Sequence, residues 1–316
     1  MSDTQWNEGR GDEPDAGTER KPEPVFEPVQ EQQFVPPAEP EPVQEMAPPG
    51  ARRFRPRPQP LRIVFGDMAG FVFLVWFPVM ICFLLGKSGL LEHAEVPGMP
   101  FDGLQLAVAA IIAFPPWIIL WLHLARGRLW DGILDMFLWA IWECVVMIAF
   151  SFFFPGLAER IIWNASEYWD EMSTWIATGA GTEGDVMLWL PVHIRHLIML
   201  IVGALIFGFP ALIMGVFQLN YMNFYVAQCM LHSANGLLIL PVAWHFWSIV
   251  RVAGYIVLAS TTFQLVFKGL RRAPVTAGAI VGGYIFGLLL VIADGVLKMQ
   301  YAEHVRIVLK TLTYLD

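Results

Sequence analysis

Between residues 61 and 300 the chain is a succession of apolar segments, each about as long as a bilayer is thick. The hydrocarbon core of a membrane is ~30 Å across, so a helix needs ~20 apolar residues to cross it. Four segments meet this length with few polar side chains: 63–86, 104–124, 133–155 and 274–298. Apolar residues make up 56% of the chain, more than a soluble domain usually carries. The sequence therefore predicts an all-α polytopic transmembrane helical bundle.

The positions of Lys and Arg predict how the bundle sits in the membrane. An arginine cluster precedes the first apolar segment and consists of Arg52, Arg53, Arg55, Arg57 and Arg62. Anionic headgroups attract such residues, and the positive-inside rule places them in the cytoplasm. Loop 156–185 is acidic and carries aromatic residues near a helical spacing, which predicts an amphipathic helix on the outer leaflet. We therefore predict a multi-pass protein of the cell (inner) membrane with a cytoplasmic N-terminus.

The number of spans depends on residues 187–267, which lack clear breaks. The stretch is followed by three cations that favour the cytoplasm, Lys268, Arg271 and Arg272. Because the chain enters the stretch from the outer face, it must cross the membrane an odd number of times within it. Three helices near 187–210, 216–240 and 243–267 give seven spans and an outside C-terminal tail, 301–316. A six-span arrangement, in which residues 216–241 are re-entrant or interfacial, stays open.

Residues 1–60 differ sharply in composition from the rest of the chain. They are rich in Pro, Glu, Gln and Asp, and Glu-Pro-Val-Gln-Glu occurs at 27–31 and again at 41–45. Such a segment cannot bury enough apolar area to offset its ordering entropy, so we predict a disordered N-terminal tail. The formal net charge of −8 comes largely from this tail, which could engage a cytoplasmic protein partner.

Ionisable side chains inside the apolar segments are the leading site candidates. Each costs a few kcal/mol at membrane depth, so it needs a partner, water or a use. We predict that six such residues form one buried polar cluster: Glu143, His193, Arg195, His196, Arg251 and Asp294. The cluster either fixes helix register through ion pairs or forms a functional site. Two histidines three residues apart are a weak metal or haem signal, so no metal or cofactor is predicted.

Two further patterns concern uncharged residues. Polar side chains occupy about half of a helical wheel between residues 218 and 235, where they could line a path or bond across helices: Gln218, Asn220, Asn223, Gln228, His232 and Asn235. Two small-residue motifs in the last span predict close helix packing and comprise Gly278, Gly282, Gly283 and Gly287.

No catalytic signature is present, and no basic run suggests nucleic-acid binding. The partners that the sequence predicts are the lipid bilayer and other proteins of a membrane complex, or further copies of this chain. The favoured function is a non-enzymatic scaffold or accessory subunit whose tail binds a cytoplasmic partner. A transporter or channel that uses the buried charges and the amide face is the alternative, and a membrane redox or metal-binding subunit is the second alternative.

Overall fold

The computed structural model describes residues 61–89, 96, 98–271 and 275–315, and every regular element within them is helical. The helices are α1 (Leu61–Ser88), α2 (Gly103–Ala125), α3 (Leu129–Phe153), α4 (Pro155–Ile161), α5 (Ala165–Thr178), α6 (Val186–Leu205), α7 (Phe209–Leu231), α8 (Gly236–Ala243), α9 (Phe246–Arg271) and α10 (Ala277–Leu312). A one-turn 3-10 helix, Thr182–Gly184, precedes α6 and is called the 3-10 turn below. The prediction of an all-helical chain is confirmed. The predicted disordered tail lies outside the described residues.

Among the described residues, five helices are long and apolar enough to cross a membrane, namely α2, α3, α6, α9 and α10. Helix α1 is apolar over Leu74–Ser88. Helix α7 has 23 residues, enough to cross, but its Asn and Gln side chains lower its hydropathy. These helices support a multispan bundle, while the count of six or seven spans stays a prediction.

Helix α7 is the central element of the bundle. It packs against α2, α3, α5, α6 and α8, and from Leu219 to Cys229 every side chain is buried. Amide side chains are tolerated there because protein, rather than lipid, surrounds them. Residues 216–240, which the sequence predicted as one span, fall partly in α7 and partly in the short helix α8.

Helices α9 and α10 pack closely through one of the two glycine motifs. A Cβ atom added at Gly283 would overlap the side chain of Thr261, and one at Gly287 would lie 2.6 Å from Leu258 Cγ. At Gly278 and Gly282 an added Cβ would meet no described atom within 4 Å. Gly283 and Gly287 therefore face α9, whereas Gly278 and Gly282 do not pack against the described bundle.

Helix α10 is 36 residues long and spans ~54 Å, well beyond the ~30 Å hydrocarbon core. Its last turns continue through the predicted C-terminal tail and contact α5. Arg306 donates from Nη1 to the carbonyl of Ile176 at 3.2 Å, and Lys310 donates from Nζ to that of Ala177 at 2.6 Å. The end of α10 therefore lies at the same end of the bundle as α5 and the 3-10 turn.

Helix α5 occupies the loop for which the sequence predicted an amphipathic helix. Its apolar side chains Met172 and Trp175 are buried, and α5 packs against α7 and α10. This apolar face is thus covered by protein. The location of α5 on the outer leaflet stays a prediction.

Candidate functional site: a buried charge network beside a cavity

Arg251 on α9 and Asp294 on α10 form an ion pair inside the bundle. Arg251 Nε donates to Asp294 Oδ2 at 3.0 Å, and the Asp294 side chain is only 2% exposed. A buried charge of this kind is tolerable because its partner lies on the neighbouring helix. The structure thus brings together two residues of the predicted cluster.

A second buried pair, formed by Lys298 and Glu183, lies one helical turn further along α10. Lys298 Nζ is 2.9 Å from Glu183 Oε2, and the Lys298 side chain is fully buried. The same ammonium group lies 4.9 Å from the centre of the Trp189 ring, within range of a cation–π interaction. Sequence reasoning missed both partners. The available signal was the i,i+4 spacing of Asp294 and Lys298, which places both on one face of α10.

The backbone around the 3-10 turn directs Glu183 into the bundle. Gly179 and Gly181 have φ angles of 81° and 124°, which glycine adopts without strain, and they turn the chain sharply after α5. The amide of Thr182 donates to Glu171 Oε1 at 3.3 Å. Burial alone would raise the pKa of the Glu183 carboxyl, but the charges of Lys298, His245 and Arg251 outweigh it and hold the pKa below its usual value.

The histidines and Arg195 of the predicted cluster have different surroundings. The His193 ring lies 5.0 Å from the Trp189 ring, and its backbone carbonyl accepts a hydrogen bond from Tyr255 Oη at 3.3 Å. His196 is half-buried, whereas Arg195 is exposed on the outer side of α6. His193 therefore borders the network, and Arg195 lies outside it. Within the described part of the chain, no three His, Cys, Asp or Glu side chains are placed to hold a metal ion.

Glu143 on α3 is buried separately from these ion pairs. It is 0% exposed, and neither carboxyl oxygen has a hydrogen-bond partner among the described residues. Two polar atoms on the neighbouring helix α7, Asn220 Oδ1 and Asn223 Nδ2, likewise lack a partner within the described ranges. Trp244 Nε1 donates to the other Asn223 atom, Oδ1, at 3.2 Å. The α3–α7 contact thus contains buried polar groups that a water molecule could hydrogen-bond, and a carboxyl that could be protonated.

The predicted amide face is divided between several surroundings. Gln218 borders a cavity, Asn220 and Asn223 are buried, and Gln228 is 9% exposed. His232 follows the end of α7, where its ring stacks on Trp169 at 5.1 Å. Asn235 caps α8 by accepting a hydrogen bond from the amide of Leu238. These six residues thus lie in different surroundings, and their role as one polar face stays a prediction.

A cavity of about 70 Å³ lies between α2, α3, α6, α7 and α9. Its polar lining is formed by Gln218, Tyr221, Arg251, Tyr255 and Ser260. Apolar side chains such as Leu120, Leu212 and Phe263 cover most of its remaining wall. Arg251 thus belongs both to the ion-pair network and to this cavity.

Of the predicted headgroup-binding arginines, Arg52, Arg53, Arg55 and Arg57 lie outside the described residues. Arg62 falls in α1, and its side chain lies outside the described atoms. The fold and the buried ion pairs define a multispan helical membrane protein with charged groups inside its bundle. No family model, no curated protein and no solved structure matches the chain.

Proposed function

We propose that the protein moves a small solute across the membrane, as a transporter or channel. The observation that carries this proposal is that Arg251 pairs with Asp294 and at the same time lines the cavity. In a membrane bundle, buried ionisable residues commonly mark substrate and ion pathways.

The charges form a sequence from one end of the bundle towards its interior. Glu183 in the 3-10 turn contacts Lys298, and Asp294 lies one turn away from Lys298 on α10. Arg251 pairs with Asp294 and also lines the cavity. Oppositely charged groups arranged in this way can exchange partners when a charged solute enters. Each exchange costs less than creating a charge without a partner.

Glu143 is the group best suited to couple transport to protons. It is completely buried and has no hydrogen-bond partner in the described part of the chain. A carboxyl group that can gain or lose a proton changes its charge without needing a bound metal. Trp139 and Ala140, about one helical turn before it on α3, line the cavity.

The test is electrophysiology on purified protein reconstituted into liposomes on a solid support. Panels of small carboxylates, amino acids, inorganic ions and sugars are applied in turn. We expect at least one solute class to give a transient current or a pH change, and the double variant R251Q/D294N to abolish it. The matched control is E303Q, which removes an i,i+3 pair with Arg306 in which Glu303 is 62% exposed. A folded, silent wild-type protein across the whole panel contradicts transport.

The scaffold function predicted from the sequence depends on residues 1–60, which lie outside the described residues. This function stays a prediction, and deletion of residues 1–50 tests it.

A further inference from the structure

We infer that the cavity between α2, α3, α6, α7 and α9 binds a short-chain monocarboxylate, with its carboxylate group on Arg251 and Gln218. This inference rests on the proposed function, because it names the substrate class of the same site.

The two side chains offer hydrogen-bond donors that nothing described accepts. Arg251 and Gln218 both line the cavity, and their atoms Arg251 Nη2 and Gln218 Nε2 are buried and have no partner within the described ranges. Unpaired buried donors are costly, so their presence on one cavity favours a ligand that supplies acceptors. A guanidinium group is always protonated and donates only, so the matching ligand group is an acceptor, and a carboxylate forms the strongest such hydrogen bonds.

The Asp294 carboxylate lies on the edge of the guanidinium group that Nε shares with one N–H of Nη2, whereas the second N–H of Nη2 points away from that edge. Asp294 accepts from Arg251 Nε at 3.0 Å, while Nη2 is a different nitrogen of the same planar group. One guanidinium can therefore hold Asp294 and a second carboxylate through separate N–H groups. The Asp294 contact also fixes the orientation of Arg251 before a ligand enters.

The remaining wall restricts the rest of the ligand. Leu120, Leu212, Ile256 and Phe263 line the cavity, so an alkyl group would be buried among apolar side chains. The volume of about 70 Å³ lies between the ~10–15 Å³ needed for one water molecule and the ~150 Å³ that takes up benzene. A carboxylate with about two to four carbon atoms fits this range.

Calorimetric titration of the full chain in mild detergent tests the site with four probes. These are propanoate, hexanoate, propanamide and propylammonium. We expect propanoate to bind at least tenfold more tightly than each of the other three. Hexanoate exceeds the cavity, propanamide lacks the charge, and propylammonium carries the charge that Arg251 repels.

Two variants leave the ion pairs intact and keep the test interpretable. Gly215 lines the cavity, and a Cβ added there meets no described atom within 4 Å, so G215V adds side-chain volume to the cavity wall from an unobstructed Cβ position. Q218L removes one donor, and Q228L changes the other glutamine of α7, which does not line the cavity. We expect propanoate affinity to fall at least tenfold in G215V and Q218L and to stay within twofold in Q228L.

The possible results separate this site from the transport proposal. No binding of propanoate, equal binding of propanamide, or unchanged affinity in folded G215V overturns the monocarboxylate site. Flux of another solute in liposomes, without propanoate binding, overturns the site and leaves transport standing. Propanoate binding without flux of propanoate or any panel solute supports the site and overturns transport.

Discussion

The ammonium group of Lys298 lies between the carboxylate of Glu183 and the ring of Trp189, 2.9 Å from Oε2 and 4.9 Å from the ring centre. This contact ties α10 to the 3-10 turn and to the start of α6. Removing one partner of a buried pair leaves the other charge without compensation, at a cost of about 3–5 kcal/mol.

We therefore expect K298M to lower the free energy of unfolding by about that amount, and E183Q/K298M to recover most of it. The measurement is an unfolding titration in mixed detergent micelles. The control is E303Q, for which we expect a loss below about 1 kcal/mol because its pair is exposed. Equal losses in K298M and the double variant would argue against a buried ion pair.

The contribution of Glu183 depends on pH. Its pKa in the folded protein is lowered, whereas an unfolded glutamate titrates near about 4.3. The stabilisation is therefore fully present above about pH 4.3 and is lost as the pH falls through the folded pKa. We expect the stability difference between wild type and E183Q to be constant between about pH 6 and pH 8 and to shrink below about pH 4. Thermal unfolding across this range checks it, and a difference that grows on acidification has the wrong sign.

Neighbouring glycines on α10 give a matched comparison of helix packing. G283A places a Cβ against Thr261, while G282A places one where no described atom lies within 4 Å. We expect G283A to lower the unfolding midpoint by the equivalent of about 1–3 kcal/mol, as overpacking does. G282A should be neutral or raise stability by up to about 1 kcal/mol, because alanine favours helix. The same loss in both variants would show that α10 does not meet α9 through Gly283.

Changing Glu143 separates stability from function. The carboxyl is 0% exposed and has no hydrogen-bond partner among the described atoms, so E143Q removes a group that costs free energy to bury. Because the glutamine amide is also a buried polar group of similar size, we expect an unchanged unfolding midpoint and a loss of at least tenfold in proton-coupled flux in liposomes. E303Q is the matched carboxyl-to-amide control. If the wild-type protein shows proton-coupled flux and E143Q retains it, Glu143 does not carry the coupling proton.

Deletion of residues 1–50 distinguishes the two leading functions. A transporter whose site lies in the bundle should keep its flux within about twofold, because the cavity and ion pairs are formed by residues after 100. A scaffold should lose a specific co-purifying protein instead. Quantitative mass spectrometry of the detergent-purified full chain and the truncated chain, together with flux measurements on both, decides between them.

Much of the fold followed from the sequence because membrane spans have a strong compositional signal. Apolar segments near α2, α3 and α10 were evident from length alone. The sequence placed Arg251 and Asp294 in one predicted buried cluster because charges at membrane depth need partners, but it did not select Asp294 over Glu143 as the partner of Arg251.

Other contacts could not be predicted for physical reasons. Glu183 follows a loop whose sharp turn includes positive φ angles at Gly179 and Gly181, and no periodic pattern in the sequence predicts such a turn. The sequence of α7 has a low hydropathy for a membrane span because hydropathy scales penalise amide side chains. In the structure these amides are surrounded by other helices. The cavity depends on how five helices pack around it, which no local pattern in one sequence encodes.

Transport requires that water-borne solutes reach the cavity, and cysteine accessibility tests this most directly. Gly215 is replaced by cysteine after Cys82, Cys144 and Cys229 have been changed to alanine. The protein in sealed liposomes is then treated with chloroacetate or with chloroacetamide, both small enough for the cavity, and each labelling rate is divided by the rate for the unfolded protein. The account predicts labelling of residue 215, faster with the anionic reagent because Arg251 lines the same cavity. No labelling in the folded protein, with full labelling after unfolding, would contradict a solute pathway through the cavity.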